Sequence, residues 1–294
     1  VVAIFSLIAF CILIAISSQN ALALLLIFAP MRALIETEVT FRLPLDIGQL
    51  LVLIFIGRWL VDHIMHRKPI FSLRWSEVVI PIFAFLFLTG VSIFSAASIG
   101  SWIREWLKWL IIIVLAIITL NLANKRNWER IIALLITAGL ANALVGIYVF
   151  TGGSGADHLR ISDRFFRALG TFGQPNPFGG FMGLLAPIAL MMTLGYGLFA
   201  FDRLKHQRLV THHIFPIFFY GLSAFLLSIG VLISWSRGAW LSYGLALFVI
   251  IIALPRKWWQ SIALCIIACI IGLMIWFCGA LPLSIEQRIR SVTE

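Results

Sequence analysis

Polar residues divide the chain into ten apolar runs, at residues 1–18, 20–35, 45–60, 78–95, 105–122, 131–150, 177–199, 214–233, 240–254 and 260–279. Most approach the roughly 20 apolar residues with which a helix crosses a hydrocarbon layer. They lack the ten-residue alternation of an outer-membrane barrel strand. The pattern predicts an all-α, polytopic transmembrane helical bundle of about ten helices, organised as a single domain over residues 1–294. The second and ninth runs are short, and Pro30 and Arg32 interrupt the second.

Composition narrows the class further. The 294 residues are 62% hydrophobic and 12% charged, with a mean hydropathy of +1.05. Soluble domains are about half apolar and a quarter charged, so a soluble globular fold, a disordered chain and a disulfide scaffold are excluded. Cys11, Cys265, Cys269 and Cys278 all fall inside apolar runs, where a thiol behaves as a small hydrophobe. His63, His66, His206, His212 and His213 fall in loops without metal-ligand spacing, so neither a metal nor a cofactor is expected. Trp102, Trp106 and Trp109, Trp235 and Trp240, and Trp258 and Trp259 sit at run ends, the pattern of an aromatic belt at headgroup depth.

The net charge of +10 is unevenly placed. One set of alternating loops, with Arg58 at a helix end, carries 12 of the 22 basic residues, among them Arg67, Lys68, Arg74, Lys125, Arg126 and Arg130. The positive-inside rule puts that set in the cytoplasm. Residues 151–176, Arg237 and the C-terminal tail then face the other side, with ten basic residues where few are expected. Nine of those ten are arginine. Arginine holds phosphate oxygens bidentately and keeps its proton. Arg32, Arg42, Arg104 and Lys108 read more simply as lipid-headgroup contacts.

Arg167 and Arg237 stand apart. Arg167 opens Arg167-Ala168-Leu169-Gly170-Thr171-Phe172-Gly173-Gln174-Pro175-Asn176-Pro177-Phe178-Gly179-Gly180-Phe181, whose glycines and prolines prevent a continuous helix. Backbone freed at membrane depth is tolerated where protein buries it or where it lines a cavity. Asn176, between two prolines, suits the cap of the seventh helix. Arg237 lies in Ser234-Trp235-Ser236-Arg237-Gly238-Ala239-Trp240, an almost loop-free link between two apolar runs. An ionisable residue held at the membrane face is by default a functional hypothesis.

These two segments resemble the O-antigen ligase and O-antigen polymerase family, through R-x-x-G-T-F-x-x-P-N-P-x-G opening one helix and S-x-S-R-G-A-W two helices later. The resemblance covers about residues 20–294. It implies a membrane glycosyltransferase of GT-C-like architecture in the bacterial inner membrane, multi-pass, with its active face outside the cytoplasm. The implied substrate is a polyprenyl diphosphate-linked glycan, delivered to a glycan, lipid or protein acceptor without metal or nucleotide sugar. No nucleic-acid partner is expected. Arg167 and Arg237 match family arginines implicated at the carrier diphosphate and are the expected catalytic residues. Beside the resemblance, Arg160, Arg164 and Asn176 are the candidate substrate-binding residues, with a solvated loop face the alternative for the two arginines and the helix cap the alternative for Asn176. The family's proposed histidine base lies on a large outer loop that would begin near Glu294. His158 sits in a different loop, and the role is not carried onto it. The chain, which opens on Val1 inside an apolar run, reads as a fragment expected to insert and bind carrier without transferring.

Two other classes fit part of this pattern. A membrane transporter, such as the bicarbonate carriers some relatives are described as, also uses interrupted helices. Its ionisable groups usually lie near the bilayer midplane, whereas the deep polar groups here are mild, such as Asn142, Thr193 and Ser228. A flippase or other polyprenyl-diphosphate-handling protein shares the anionic headgroup.

Overall fold

The computed structural model describes residues 16–31, 47–66, 79–123, 127–153, 159–161, 165–205, 211–255 and 257–277. Among them lie α1 (Ser18–Phe28), α2 (Ile47–Met65), α3 (Val79–Val91), α4 (Ile99–Leu122), α5 (Trp128–Phe150), α6 (Pro175–Lys205), α7 (Thr211–Ile233), α8 (Arg237–Ala253) and α9 (Trp258–Phe277). These described residues are all-helical, with one isolated antiparallel bridge between Arg160 and Phe166. The nine α-helices among the described residues correct the expectation of about ten, and residues 1–15 of the first run lie outside them.

Among the described residues, five helices are long and apolar enough to cross a membrane: α2, α4, α5, α6 and α7. This is compatible with a multi-pass membrane protein. Large apolar side chains stand open on the helix surfaces, including Phe87 of α3, Phe215 of α7 and Leu241 of α8. A water-soluble protein rarely exposes so much contiguous apolar area.

The remaining helices are shortened by local chemistry. α1 stops after 11 residues and passes into a 3-10 turn, Ala29–Met31. Pro30 within that turn has no amide to continue the helical ladder. α3 likewise ends in the 3-10 turn Ser92–Ser95. Thr89, Ser92 and Ser95 there donate their hydroxyls to carbonyls three or four residues back. α4 starts earlier than its apolar run, at Ile99, because Ser98 caps it by accepting from the Ser101 amide. Its first turns therefore carry the exposed Glu105–Lys108 ion pair, 2.6 Å.

The chain forms two compact units, Val1–Leu135 and Ile136–Glu294. In the first, α1, α2 and α4 share a core of Ala21, Leu22, Leu25, Ile54, Phe55, Trp59 and Ile118. Asp62 on α2 accepts from Arg58 one turn earlier, at 2.6 Å, and from the Ser18 hydroxyl of α1. α3 lies on α4, with Phe85 edge-on to Trp109 and the Trp106 indole donating to the Leu86 carbonyl at 3.3 Å.

In the second unit α6 and α7 form an antiparallel pair, and α8 packs on α6. Gly179 near the start of α6 faces Ser234 just past α7, while Phe199 near its other end meets His213 at the start of α7. Helices in a membrane gain little from the hydrophobic effect between them, so close packing must hold them. Small residues allow it. A Cβ on Gly139 of α5 would stand 3.1 Å from Leu227, and one on Gly230 of α7 would stand 2.9 Å from Met182. Phe178, fully buried at the start of α6, fills the space left by Gly146 of α5 and Gly170 of the preceding loop.

Candidate functional site

Both segments singled out in the sequence meet at one end of the second unit, where α7 turns into α8. The link is three residues, Ser234-Trp235-Ser236. A helix leaves its last carbonyls without intrahelical donors, and in a membrane water does not readily supply them. Every carbonyl from Gly230 to Ser236 here has a donor. The Ser234 amide bonds the Gly230 carbonyl (3.1 Å), and the Trp235 amide bonds that of Leu232 (3.3 Å). The Ser234 hydroxyl (2.6 Å) and the Trp240 indole (3.0 Å) both reach the Val231 carbonyl. The Ala168 amide bonds the Ile233 carbonyl (2.9 Å), and the Trp240 amide that of Ser236 (3.0 Å).

Arg167 completes the set. Its Nε donates to the Ser234 carbonyl at 3.2 Å, and its Nη2 to the Trp235 carbonyl at 3.3 Å and to Asn176 Oδ1 at 3.2 Å. One planar guanidinium thus ties the end of α7 to the start of α6. A cation at a helix C-terminus is also favoured by the helix dipole. The backbone of Arg167 is fixed in turn by its amide, which donates to the Leu159 carbonyl at 2.8 Å.

The turn that Arg167 closes is unusual. Trp235 has φ of 56°, in the left-handed region. For a bulky residue this is costly, and such conformations persist only where neighbours over-determine them. Its neighbours do so: Arg167 holds its carbonyl, and its buried ring meets Trp240 edge-on at 5.8 Å. Trp235 is therefore part of the hairpin's interior, which corrects its assignment to an interfacial belt.

Arg237 follows two residues later as the first residue of α8, and it is exposed. Ser236 caps that helix by accepting from the Ala239 amide at 3.5 Å. Arg237 therefore stands at the positive end of the α8 dipole. Backbone amides at such an end are ready donors to an anion.

Asn176 is the second residue of α6, within the helix instead of capping it, because the helix already begins at Pro175. Proline suits a first turn, where its missing amide costs nothing. Arg160 is exposed and lies 5.3 Å from the centroid of the Phe166 ring. Arg164 and His158 lie outside the described residues, as do Arg32 and Arg42.

Sequence reasoning noted Asn142 only as a mild polar group and gave it no role. It is buried on α5, and its Oδ1 accepts from the Thr171 amide at 3.1 Å and the Thr171 hydroxyl at 2.5 Å. Its Nδ2 donates to the Ala138 carbonyl at 3.1 Å. The available signal was a carboxamide in the middle of an apolar run, which is expensive unless bonded. No family model, curated protein or solved structure matches this chain.

Proposed function

We propose that the protein is a bacterial inner-membrane glycosyltransferase, O-antigen ligase-like or polymerase-like, acting on the face outside the cytoplasm. It moves a glycan from a polyprenyl diphosphate carrier to an acceptor hydroxyl. The observation that carries this reading is the α7–α8 hairpin. Arg237 stands exposed at the head of α8, on a turn whose carbonyls are all occupied and which Arg167 holds shut.

The acceptor oxygen attacks the anomeric carbon as the bond from that carbon to the diphosphate oxygen breaks. The leaving diphosphate takes the electron pair, and the hydroxyl proton passes to a general base. Charge grows on the diphosphate as the bond breaks, so a preorganised cation and helix amides aimed at it lower the barrier. Arg237 supplies the fork for the diphosphate oxygens. Arg167 adds positive charge beside it but spends Nε and Nη2 on the hairpin and Asn176, so it acts chiefly by positioning. Arg160, exposed beside Phe166, gives a further cation for carrier or glycan contacts. The carrier's isoprenoid tail lies along the open apolar faces of the helices.

The test is transfer in vitro by the full-length protein from a labelled polyprenyl diphosphate oligosaccharide to a glycan acceptor, with wild type and Arg237→Ala compared. Removing one preorganised donor of a developing anion costs about 10²–10³-fold in rate. A folded Arg237→Ala variant that transfers at the wild-type rate overturns the proposal. So does coupled solute uptake by proteoliposomes that contain no lipid-linked glycan and show no transfer when one is added.

A further inference from the structure

We infer that Asn142 is a positioning residue for the diphosphate site, acting on Arg167 through Thr171; this rests on the transfer reading above. The loop from Arg167 to Gln174 enters α6 without regular structure. A backbone so placed keeps one geometry only if its amides are bonded. Arg167 and Ala168 donate to Leu159 and Ile233, and Phe172 donates to the Leu169 carbonyl at 3.1 Å. The Thr171 amide, between them, donates to a side chain on another helix. Asn142 supplies that acceptor from the middle of α5 and takes the Thr171 hydroxyl as well.

The clip is a built arrangement. Asn142 is 1% exposed and Thr171 3% exposed, so water does not substitute readily for either partner. The Ala138 carbonyl takes the Nδ2 donor, which fixes which end of the carboxamide faces Thr171. Gly170, beside it, has φ of +53°, and a Cβ there would stand 3.2 Å from Asn142 Oδ1 and 2.6 Å from the Phe178 ring. Three residues of loop separate this anchor from Arg167, and the guanidinium is held at its far end by Ser234 and Trp235. Asn142, with the Leu159 and Ile233 carbonyls, therefore holds the stretch from which Arg167 starts, and the hairpin sets where its guanidinium ends. A carboxamide that served packing alone would need no second donor from the loop.

The experiment is binding of farnesyl diphosphate to the protein in nanodiscs, for wild type, Asn142→Ala, Thr171→Val, Thr171→Ser, Arg167→Ala, Arg237→Ala and the Asn142→Ala/Arg167→Ala double variant. Loss of a buried hydrogen bond that orients the site corresponds to about tenfold weaker binding. We expect that loss for Asn142→Ala and Thr171→Val, near-wild-type binding for Thr171→Ser, and a double variant no weaker than Arg167→Ala alone. Coupling of this kind marks residues that act as one unit. A packing role alone gives the opposite order, because Thr171→Val keeps the shape and Thr171→Ser loses the methyl. If Asn142→Ala does not fold, the two Thr171 variants decide the matter. Unchanged binding in folded Thr171→Val and Asn142→Ala, with binding lost in Arg237→Ala, overturns the inference and leaves the transfer reading intact. Unchanged binding in Arg237→Ala and Arg167→Ala overturns both.

Discussion

Arg167 donates to the carbonyl of Trp235, 68 residues further along the chain, at 3.3 Å. That bond joins the Gly/Pro-interrupted entry of α6 to the turn that presents Arg237. It also explains how a tryptophan is kept at a φ of 56°. The hairpin's geometry depends on a guanidinium fork that reaches three acceptors. Lysine carries the same charge on a single nitrogen and cannot reproduce that planar fork. We expect Arg167→Lys to lose about 1–3 kcal/mol of stability. Thermal unfolding in detergent measures it, and full stability in Arg167→Lys would show that charge alone suffices.

Phe178 makes a second, independent prediction. It is fully buried against Gly146 and Gly170, with Gly230 also close. Gly170→Ala places a Cβ in the left-handed region and against the Phe178 ring. The conformation costs about 1–2 kcal/mol, and overpacking adds about 1–3. Phe178→Ala leaves a cavity instead, at about 3–5 kcal/mol. Unfolding of the single variants gives both figures. A Gly170→Ala variant as stable as wild type would contradict the packing described for this loop.

In the first unit the prediction concerns Asp62. Asp62→Ala removes the acceptor of both Arg58 and the Ser18 hydroxyl, and leaves the half-buried Arg58 cation without that carboxylate. Breaking one side of a hydrogen-bonded charge pair costs about 1–3 kcal/mol. Hydrogen exchange should rise in residues 16–31 and 47–66 and stay unchanged at 230–240. Faster exchange at the α7–α8 hairpin would contradict a local role.

Salt gives a fourth. Farnesyl diphosphate held by an exposed cation should bind more weakly as ionic strength rises, because the Debye length falls from about 10 Å at 0.1 M to 3 Å at 1 M. Arg237→Ala should flatten that dependence. Binding insensitive to salt in the wild type would place the diphosphate away from Arg237.

The sequence shows where the helices run and less of what holds their ends. The apolar runs at 131–150, 177–199 and 214–233 lie within the spans of α5, α6 and α7. The two arginine segments stood out because glycine, proline and charge are conspicuous in apolar surroundings. What Arg167 does was not legible. Its acceptors are backbone carbonyls, which every residue has, and only the fold brings those of Ser234 and Trp235 to it. Trp235 failed for a similar reason: a tryptophan at the end of an apolar run looks interfacial, and a positive φ leaves no mark in composition. Asn142 was visible as a mild polar group, but its partner Thr171 lies 29 residues away in an irregular loop. The N-terminus of α6 was displaced from expectation because Pro175 itself starts the helix.

The central claim, that the α7–α8 hairpin receives a lipid diphosphate, is tested most directly by electron cryomicroscopy of the protein in nanodiscs saturated with a polyprenyl diphosphate. The account predicts headgroup density at the N-terminus of α8, with phosphate oxygens within about 3 Å of the Arg237 guanidinium and the Arg167–Trp235 bond kept. Headgroup density bound elsewhere, with the face of residues 234–237 open, would contradict it.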